Sequence, residues 1–458
     1  MTRPPFEVAD IICAEGRSFI DKNRSWLNGG HLKVLAAIER CRTSALGGHR
    51  DRCAKCGHQA ISFNSCRNRH CPKCQTNARE KWLAKRSADL LPMPYVHVVF
   101  TLPHLLAPLA YHNKKLLYDL LFRASAATLL EVAANPKRLG AELGFLSVLH
   151  TWGQTLQHHP HVHCVIPAGG LSPDHQRWIH ARSGFFLPVG VLRKVFRGKF
   201  TEGLKRLWRE KLLCLPGSLN VLQQEKTFRT FLRSLHRKKW VVYSKPPFGG
   251  PKHVLQYLAR YTHRVAISNH RIVNFAECEV SFRWKDYAHG SQQRVMTLEA
   301  EEFLRRFLQH TLPLRFVRLR RFGFLAHRQR TVSLALCRGL LDTAEVPAPV
   351  VAKPAERLGP VRTAEVPWRS SKDSPLNSLP QRLSLIAPDS MGGKSNRGYA
   401  PARPLHMCLL SENNRSARLD RPLDATLPGI SSRPFHPTAL RLASHNPKPA
   451  FLRSVPSP

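Results

Sequence analysis

Two Cys-x-x-Cys pairs constrain the fold of this chain more than any other feature of its sequence. Cys53 and Cys56 form the first pair, and Cys71 and Cys74 form the second after fourteen intervening residues. A Cys-x-x-Cys turn presents two thiolates to one ion, and Zn²⁺ prefers four such ligands in a tetrahedron. The segment HQAISFNS between the pairs fits a short hairpin. We therefore predict a ribbon-like zinc site built from these four cysteines.

Four further candidate ligands are interleaved with the pairs, namely Cys41, His49, Cys66 and His70. Eight ligands in one short module are enough for two zinc ions, but the spacing does not show which residues belong together. The alternative is that the two histidines contact phosphate or solvent. Whether these four residues form a second zinc site is therefore left open at this point.

The charge of the chain predicts its class of partner. There are 71 Lys and Arg against 30 Asp and Glu, a net charge of +41. Because so many positive charges repel one another, we predict a polyanionic partner. Nucleic acid is favoured over an anionic membrane surface and over any small-molecule substrate. The longest uncharged stretch, 90–112, contains four prolines and does not suit a membrane-spanning helix.

The N-terminal segment has charges where a signal peptide needs its apolar run. We therefore expect a bacterial cytoplasmic protein associated with the nucleoid. Thiols stay reduced in that compartment, which favours cysteines as metal ligands over disulfides.

The composition divides the chain into three parts. Residues 1–92 combine a helical lead-in, HLKVLAAIERCR, with the Cys- and His-rich stretch, and we predict a zinc-binding domain there. Residues 93–340 alternate predicted strands and helices. Residues 341–458 are rich in Pro and Ser, and 18 of the 35 prolines fall in the last 114 residues. A segment of that composition buries too little apolar surface to offset ordering, so we predict a disordered tail.

The middle part has mixed α and β patterns. Predicted strands are YVHVVF, SVLHTWGQTL, VHCVIPAGG and residues 239–243. Predicted helices are NKKLLYDLLFRASAATLLEVAAN, VGVLRKVFRGKFTEGLKRLWREKLL and EAEEFLRRFLQHTL.

A His-hydrophobic-His pair lies in one of these strands. Alternate side chains of a strand share a face, so His161 and His163 point the same way while Val162 turns into the core. Two imidazoles at this separation can hold one divalent metal and leave positions for a phosphate oxygen. His150 or Gln154, on the preceding strand, could supply a third ligand. The alternative is an ordinary His-rich surface strand.

Two tyrosines form the second candidate group. Tyr257 and Tyr261 are four residues apart, so on a helix they share one face. A phenol titrates near pKa about 10, and a metal or nearby cations would activate it for attack on a phosphodiester, leaving a 5′-phosphotyrosine and a free 3′-OH. Arg260 and Arg264 are candidates for stabilising the pentacovalent phosphorus, with plain surface cations as the alternative. Without the histidines, two packed tyrosines would be the simpler interpretation.

Several long motifs occur in order between residues 10 and 335. They are CRTSALGGH, NSCRNRHCPKCQ, HTWGQTLQHHPHVHCVIPAGGL, YSKPPFGGP, YLARYTHRVAISN, FRWKDYAHG, EFLRRFLQH and RRFGFLA. In this combination the chain resembles the insertion-sequence-91 family of rolling-circle transposases. The resemblance implies an α+β fold, in which an antiparallel-sheet nuclease domain follows a small zinc-binding domain.

The same resemblance implies roles for individual residues. His161 and His163 correspond to the metal ligands, and Tyr257 and Tyr261 correspond to the nucleophiles. It also implies structural Zn²⁺ and catalytic Mg²⁺ or Mn²⁺, of which Mn²⁺ suits imidazole ligands better. The expected reaction is nicking and transfer of single DNA strands through phosphotyrosine, with element ends and target DNA as partners.

Two other functions stay open from the sequence. A rolling-circle replication initiator or a relaxase would share the histidine and tyrosine chemistry, but it would not predict the long zinc module. A decayed transposase that only binds DNA would never form a covalent adduct.

Overall fold

The computed structural model describes residues 4–54, 56–75, 89–182, 185–248, 265–287, 289–326, 328, 330–341 and 368–371. The helices in this part of the chain are α1 (Val8–Lys22), α2 (Gly29–Glu39), α3 (Ala107–His112), α4 (Lys114–Ala134), α5 (Val189–Arg209), α6 (Glu225–Arg237), α7 (Ala300–Gln309) and α8 (Arg330–Leu340). The strands are β1 (Gly48–Cys53), β2 (Gln59–Phe63), β3 (Tyr95–Thr101), β4 (Gly144–Trp152), β5 (His158–Pro167), β6 (Gly169–Leu171), β7 (Trp178–His180), β8 (Val241–Phe248), β9 (Ile272–Ala276), β10 (Glu279–Asp286), β11 (Gln292–Glu299), β12 (Leu319–Gly323) and β13 (Trp368–Ser371).

A five-stranded antiparallel sheet with the order β12-β4-β5-β3-β8 lies at the centre of the larger core. β3 and β5 are rich in valine and aromatic residues, which favour the pleated conformation. On one face of the sheet Val98, Phe100, Val162 and Cys164 are completely buried against the layer that contains α4 and α5. The opposite face carries the histidines. This arrangement confirms the predicted α+β class with an antiparallel sheet.

One glycine lies at the contact between α4 and α5. A Cβ atom at Gly203 would lie 2.3 Å from Leu120 Cδ1, so a larger residue there would require the Leu120 side chain to shift. α6 then packs on α5 through parallel rings of Trp208 and Phe228, whose centroids are 4.6 Å apart. These contacts form a continuous helical layer under the sheet.

A second core joins parts of the chain that are far apart in sequence. α1 and α2 pack against the three-stranded sheet β11-β10-β9 and against α7. The backbone N–H of Val8 donates to Asn269 Oδ1 at 3.2 Å, and the Asn23 amide donates to Glu301 Oε1 at 3.0 Å. This core takes residues from both sides of the predicted domain boundary at residue 92, so the two predicted domains share it.

Buried polar contacts join the two cores. The Lys114 ammonium group donates to the backbone carbonyls of Gln309 and Thr311, at 2.9 and 3.0 Å, where α7 ends. The neighbouring His310 bonds to the Thr151 hydroxyl at 3.1 Å and to the Leu156 carbonyl at 3.0 Å. Burial lowers the pKa of Lys114 to about 8, which shows how far this contact is removed from solvent.

Most predicted elements in the described part of the chain are confirmed. The predicted helices correspond to α2, α4, α5 and α7, and the predicted strands correspond to β3, β4, β5 with β6, and β8. Sequence analysis did not predict α1, α6 or the sheet β9–β11. Of residues 341–458, the structure describes residue 341 and β13, which pairs with β1, and the rest of the predicted tail lies outside the described residues. Within the described residues, every helix is too short or too polar to cross a bilayer.

The packing predicts the cost of truncating Phe100, whose ring is completely buried and lies 4.9 Å from that of Phe196. Phe100→Ala should lower the free energy of unfolding by about 3–5 kcal/mol, because it leaves a cavity under the sheet. The matched control Phe185→Ala removes an exposed ring and should change it by less than about 0.5 kcal/mol. Urea denaturation measures both, and equal losses would contradict this packing.

Candidate metal centres and the histidine face of the sheet

Four cysteines converge in the N-terminal part of the chain. The sulfur atoms of Cys41, Cys66, Cys71 and Cys74 all lie within 4.8 Å of one another. Cys74 Sγ is 3.5 Å from Cys41 Sγ and 3.6 Å from Cys66 Sγ. A zinc ion with four bonds of about 2.3 Å holds its sulfurs about 3.8 Å apart. The group therefore has the ligand type, number and spacing of a structural zinc site.

Local structure explains why these four meet. Cys41 directly follows α2, and Arg42 donates its backbone N–H to the Asn64 carbonyl at 3.0 Å, which brings the segment before Cys66 alongside. Cys71 and Cys74 share a tight turn closed by a 3.1 Å backbone hydrogen bond. Hydrogen bonds from neighbouring thiols lower the pKa of Cys74, while the same contacts raise that of Cys71. The neighbouring thiols stabilise the thiolate form of Cys74, and a bound metal ion would stabilise the thiolate form of all four cysteines.

The structure separates two members of the zinc group predicted from spacing from the other two. Cys53 and Cys56 lie at the turn of the β1–β2 hairpin, where Cys53 N–H donates to the His58 carbonyl at 2.8 Å. The cysteine cluster lies at the opposite end of that hairpin. At about 3.3 Å per residue, the five paired residues of β1 separate the two ends by about 16 Å. Cys71 and Cys74 therefore join Cys41 and Cys66 instead of the first Cys-x-x-Cys pair.

The possible second zinc site is also not formed among the described residues. Two of its four candidates, Cys41 and Cys66, belong to the first cluster. His70 is buried, its Nδ1 contacts Asn68 Oδ1 at 3.1 Å, and its Nε2 accepts the backbone N–H of Leu312 at 3.2 Å. His49 lies 3.7 Å from the Asp51 carboxylate. The only other group of three potential ligands in the described residues is a histidine cluster.

That second group consists of His150, His161 and His163, whose nearest ring nitrogens lie within 4.8 Å of one another. His161 and His163 alternate with the core residue Val162 along β5. His150 enters from β4, because it is paired directly with His161 in the antiparallel register and paired residues share a face. The sheet therefore brings three imidazoles together on the face opposite the helices.

One hydrogen bond of His161 determines which of its two ring nitrogens is available to bind a metal. Nδ1 lies 2.7 Å from the carbonyl of His159, so it carries the proton and Nε2 carries the lone pair. Burial lowers the pKa of His161 to about 4, and burial together with the adjacent imidazole of His150 holds that of His163 well below 6.5. Both rings are therefore neutral at pH 7, the form that binds metals.

His97 is a functional candidate that sequence analysis missed. It lies on β3, and its Nε2 is 2.8 Å from Nδ1 of His163, with the two rings parallel and their centroids 5.0 Å apart. This contact fixes the orientation of the His163 ring. The signal in the sequence is the histidine inside the strand YVHVVFT, at a position where an apolar residue would be expected.

The other predicted site residues lie elsewhere or outside the described residues. Gln154 is directed toward β10, where its side-chain oxygen accepts the backbone N–H of Lys285 at 3.4 Å, so His150 is the third candidate ligand that the structure places beside the pair. The remaining predicted residues fall within 251–264, outside the described part of the chain: Tyr257, Arg260, Tyr261 and Arg264.

Comparison with known proteins identifies the family. Residues 12–102 match the family described as "Transposase zinc-binding domain", and residues 144–332 match the family described as "Putative transposase". The chain is 49% identical over 393 residues to "Putative transposase y4qJ" of Sinorhizobium fredii, covering 86% of this chain and 98% of that protein. It belongs to the insertion-sequence-91 family of transposases.

A second relative agrees with this assignment. The family member is 32% identical over 311 residues to the "Transposase for insertion sequence element IS801" of Pseudomonas savastanoi pv. phaseolicola, covering 65% of this chain and 70% of that protein. No solved structure matches the chain. The zinc-binding family spans all four clustered cysteines, which supports structural zinc at that cluster.

The corrected zinc group gives a direct prediction. Cys71→Ser should lose about one zinc per chain and unfold the local structure around the cluster, because it removes one of four thiolate ligands. The matched control Cys56→Ser changes an exposed cysteine outside the cluster and should keep its zinc. Elemental analysis and limited proteolysis of both purified variants provide the measurement. Zinc lost from both variants would instead support the group predicted from spacing, which contains Cys56 as well as Cys71.

Proposed function

We propose that this transposase nicks and transfers single DNA strands through a 5′-phosphotyrosine intermediate in rolling-circle transposition. Membership of the family supports a transposase, and the histidine cluster is the single observation that supports this chemistry. Three imidazoles brought together on one face of a sheet suit a divalent metal ion that contacts a phosphodiester.

The residues of the cluster fit such an ion. His161 and His163 would hold it, with His150 as the third ligand, and their nitrogen donors favour Mn²⁺ over Mg²⁺. When bound, the ion would polarise the scissile phosphate and favour attack on phosphorus. His97 keeps the His163 ring in place, and the carbonyl of His159 keeps the lone pair of His161 on Nε2. The protein thus arranges its donors before any DNA binds.

The proposed nucleophiles are Tyr257 and Tyr261. In the first step a tyrosine oxygen forms a bond to phosphorus and loses its proton, while the bond to the 3′ oxygen breaks and that oxygen gains a proton. Attack by a 3′-OH on the phosphotyrosine reverses the exchange on a new strand. Both tyrosines belong to the sequence segment that directly follows β8, and this segment lies outside the described residues.

The positive charge of the chain supports DNA as the partner, and part of this charge is arranged along α6. Lys226, Arg229, Arg233 and Arg237 recur every three or four residues and are all exposed, while the apolar face of α6 packs in the core. They form one stripe along a helix about 20 Å long. Such a stripe can contact successive phosphates of a DNA backbone, and we propose single-stranded element ends and target DNA as the strands bound.

The zinc-binding domain distinguishes the proposal from its closest alternative. A replication initiator or a relaxase would use the same histidine and tyrosine chemistry, but the N-terminal match is to a domain described for transposases. A protein that binds DNA without cleaving it would not need a ring such as His97 to orient a metal-binding imidazole.

Substitution of the two tyrosines tests the proposed mechanism. Tyr257→Phe combined with Tyr261→Phe removes both attacking oxygens with little change in shape, so it should abolish the covalent complex while binding of single-stranded DNA stays within about twofold, because phosphate contacts supply most of the affinity. Labelled oligonucleotides and denaturing gels detect the complex. Tyr287→Phe, at an exposed tyrosine just after β10, is the matched control and should form the covalent complex normally. A covalent complex in the double variant would place the nucleophile elsewhere.

Removal of the histidines tests the metal separately. His161→Ala with His163→Ala should weaken Mn²⁺ binding by more than about 100-fold and abolish nicking, because two of three nitrogen donors are lost. His180→Ala, at an exposed histidine on β7, should bind Mn²⁺ as the unmodified protein does. Calorimetric titration with Mn²⁺ provides the measurement independently of activity. Unchanged Mn²⁺ affinity in the double variant would show that the metal binds elsewhere.

A further inference from the structure

An exposed tyrosine lies on the same face of the sheet as the histidine cluster. Val99 of β3 is paired with His163 of β5 on one side and with Tyr243 of β8 on the other. Directly paired residues of antiparallel strands have their side chains on one face, so His163, Val99 and Tyr243 form a row across three strands. At about 4.8 Å per strand, Tyr243 lies about 10 Å from His163.

The surroundings of Tyr243 distinguish it from an ordinary surface tyrosine. β8 is the last strand of the five-stranded sheet in the described residues, and the Tyr243 side chain is 54% exposed. Val241, two residues earlier on the same face, is 51% exposed. Val99 and Val241 give the row an apolar floor beside neutral imidazoles. An exposed aromatic ring beside apolar side chains suits the flat face of an unpaired base.

We propose that Tyr243 is a stacking platform for a base of the single strand whose phosphate lies at the histidine cluster. The identification of that phosphate site rests on the proposed function. A distance of about 10 Å corresponds to roughly three stacked nucleotides at 3.4 Å each, so the stacked base lies within three nucleotides of the scissile phosphate. The ring face makes the contact, and the phenol oxygen takes no part in bond exchange. Recognition of this kind tolerates any base.

Affinity measurements on three variants test this role. All are made in the full chain carrying Tyr257→Phe and Tyr261→Phe, so that no cleavage occurs, with a fluorescent twenty-nucleotide thymidine oligonucleotide as the probe. Tyr243→Ala should weaken binding about tenfold, the usual loss for one stacked base. Tyr243→Phe keeps the ring and should restore most of the affinity. Tyr287→Ala, which removes a tyrosine that is 64% exposed just after β10, is the matched control and should bind normally.

Salt dependence separates stacking from phosphate contact. Tyr243→Ala should lower the affinity equally at all salt concentrations and leave the slope of log affinity against log salt unchanged, because no counterion is released by stacking. Arg233→Ala on α6 should instead make the slope shallower by about one unit. Photo-crosslinking of an oligonucleotide containing 5-iododeoxyuridine should attach DNA to the peptide that contains Tyr243.

Several results would overturn the proposal. Equal affinity of Tyr243→Ala and its parent, or failure of Tyr243→Phe to restore binding, would show that the ring face does not hold a base. Loss of the covalent complex in Tyr243→Phe, made with Tyr257 and Tyr261 intact, would show that the phenol oxygen reacts. Absence of any covalent complex in the unmodified protein would instead contradict the proposed function, while the binding measurements would still test the platform.

Discussion

The alternation of side chains along β5 is the constraint on which the rest of the structure depends. β5 is the central strand of the five-stranded sheet, with β4 on one side and β3 on the other. Its even-numbered residues pack against the helical layer, and its histidines at 161 and 163 face the other way. A slip of one residue in either ladder would exchange the two faces and bury imidazoles in an apolar core. Folding of the core and assembly of the histidine cluster are therefore the same event.

Close packing of histidines on one face of the sheet gives the cluster its chemical character. Four imidazoles, at positions 97, 150, 161 and 163, lie close together. A positive charge on any one of these rings would therefore disfavour protonation of the other three. Among the described residues the cluster contains no carboxylate. Neutral ligands leave the double charge of a bound divalent ion unreduced, which favours a phosphate oxygen as the next ligand. In a chain with a net charge of +41, the same neutrality avoids adding further like charges at the centre of the sheet.

Sequence patterns predicted features that depend on neighbours along the chain, and they missed features that depend on register or on distant contacts. The period of two in HVHCVIP was enough to place His161 and His163 on one face. The role of His97 needed the pairing of β3 with β5, which no local pattern shows. The Cys-x-x-Cys spacing identified ligand pairs, but the length of the β1–β2 hairpin decided that Cys71 meets Cys41 and not Cys53. The second core was missed because residues 8–41 complete it with residues 265–308.

The cysteine cluster and the histidine cluster are joined by a short path through the structure. The loop between Cys66 and Cys71 carries Arg69, whose guanidinium donates to the Phe316 carbonyl at 2.7 Å, and His70 accepts the backbone N–H of Leu312. The segment that receives both contacts continues into β12, which pairs with β4 just before His150. Because the cysteine cluster fixes the ends of this loop, it also fixes the segment that leads to the edge strand beside β4. The zinc-binding region thus supports the histidine sheet directly, and this accounts for a buried, uncharged His70 in a loop otherwise rich in cations.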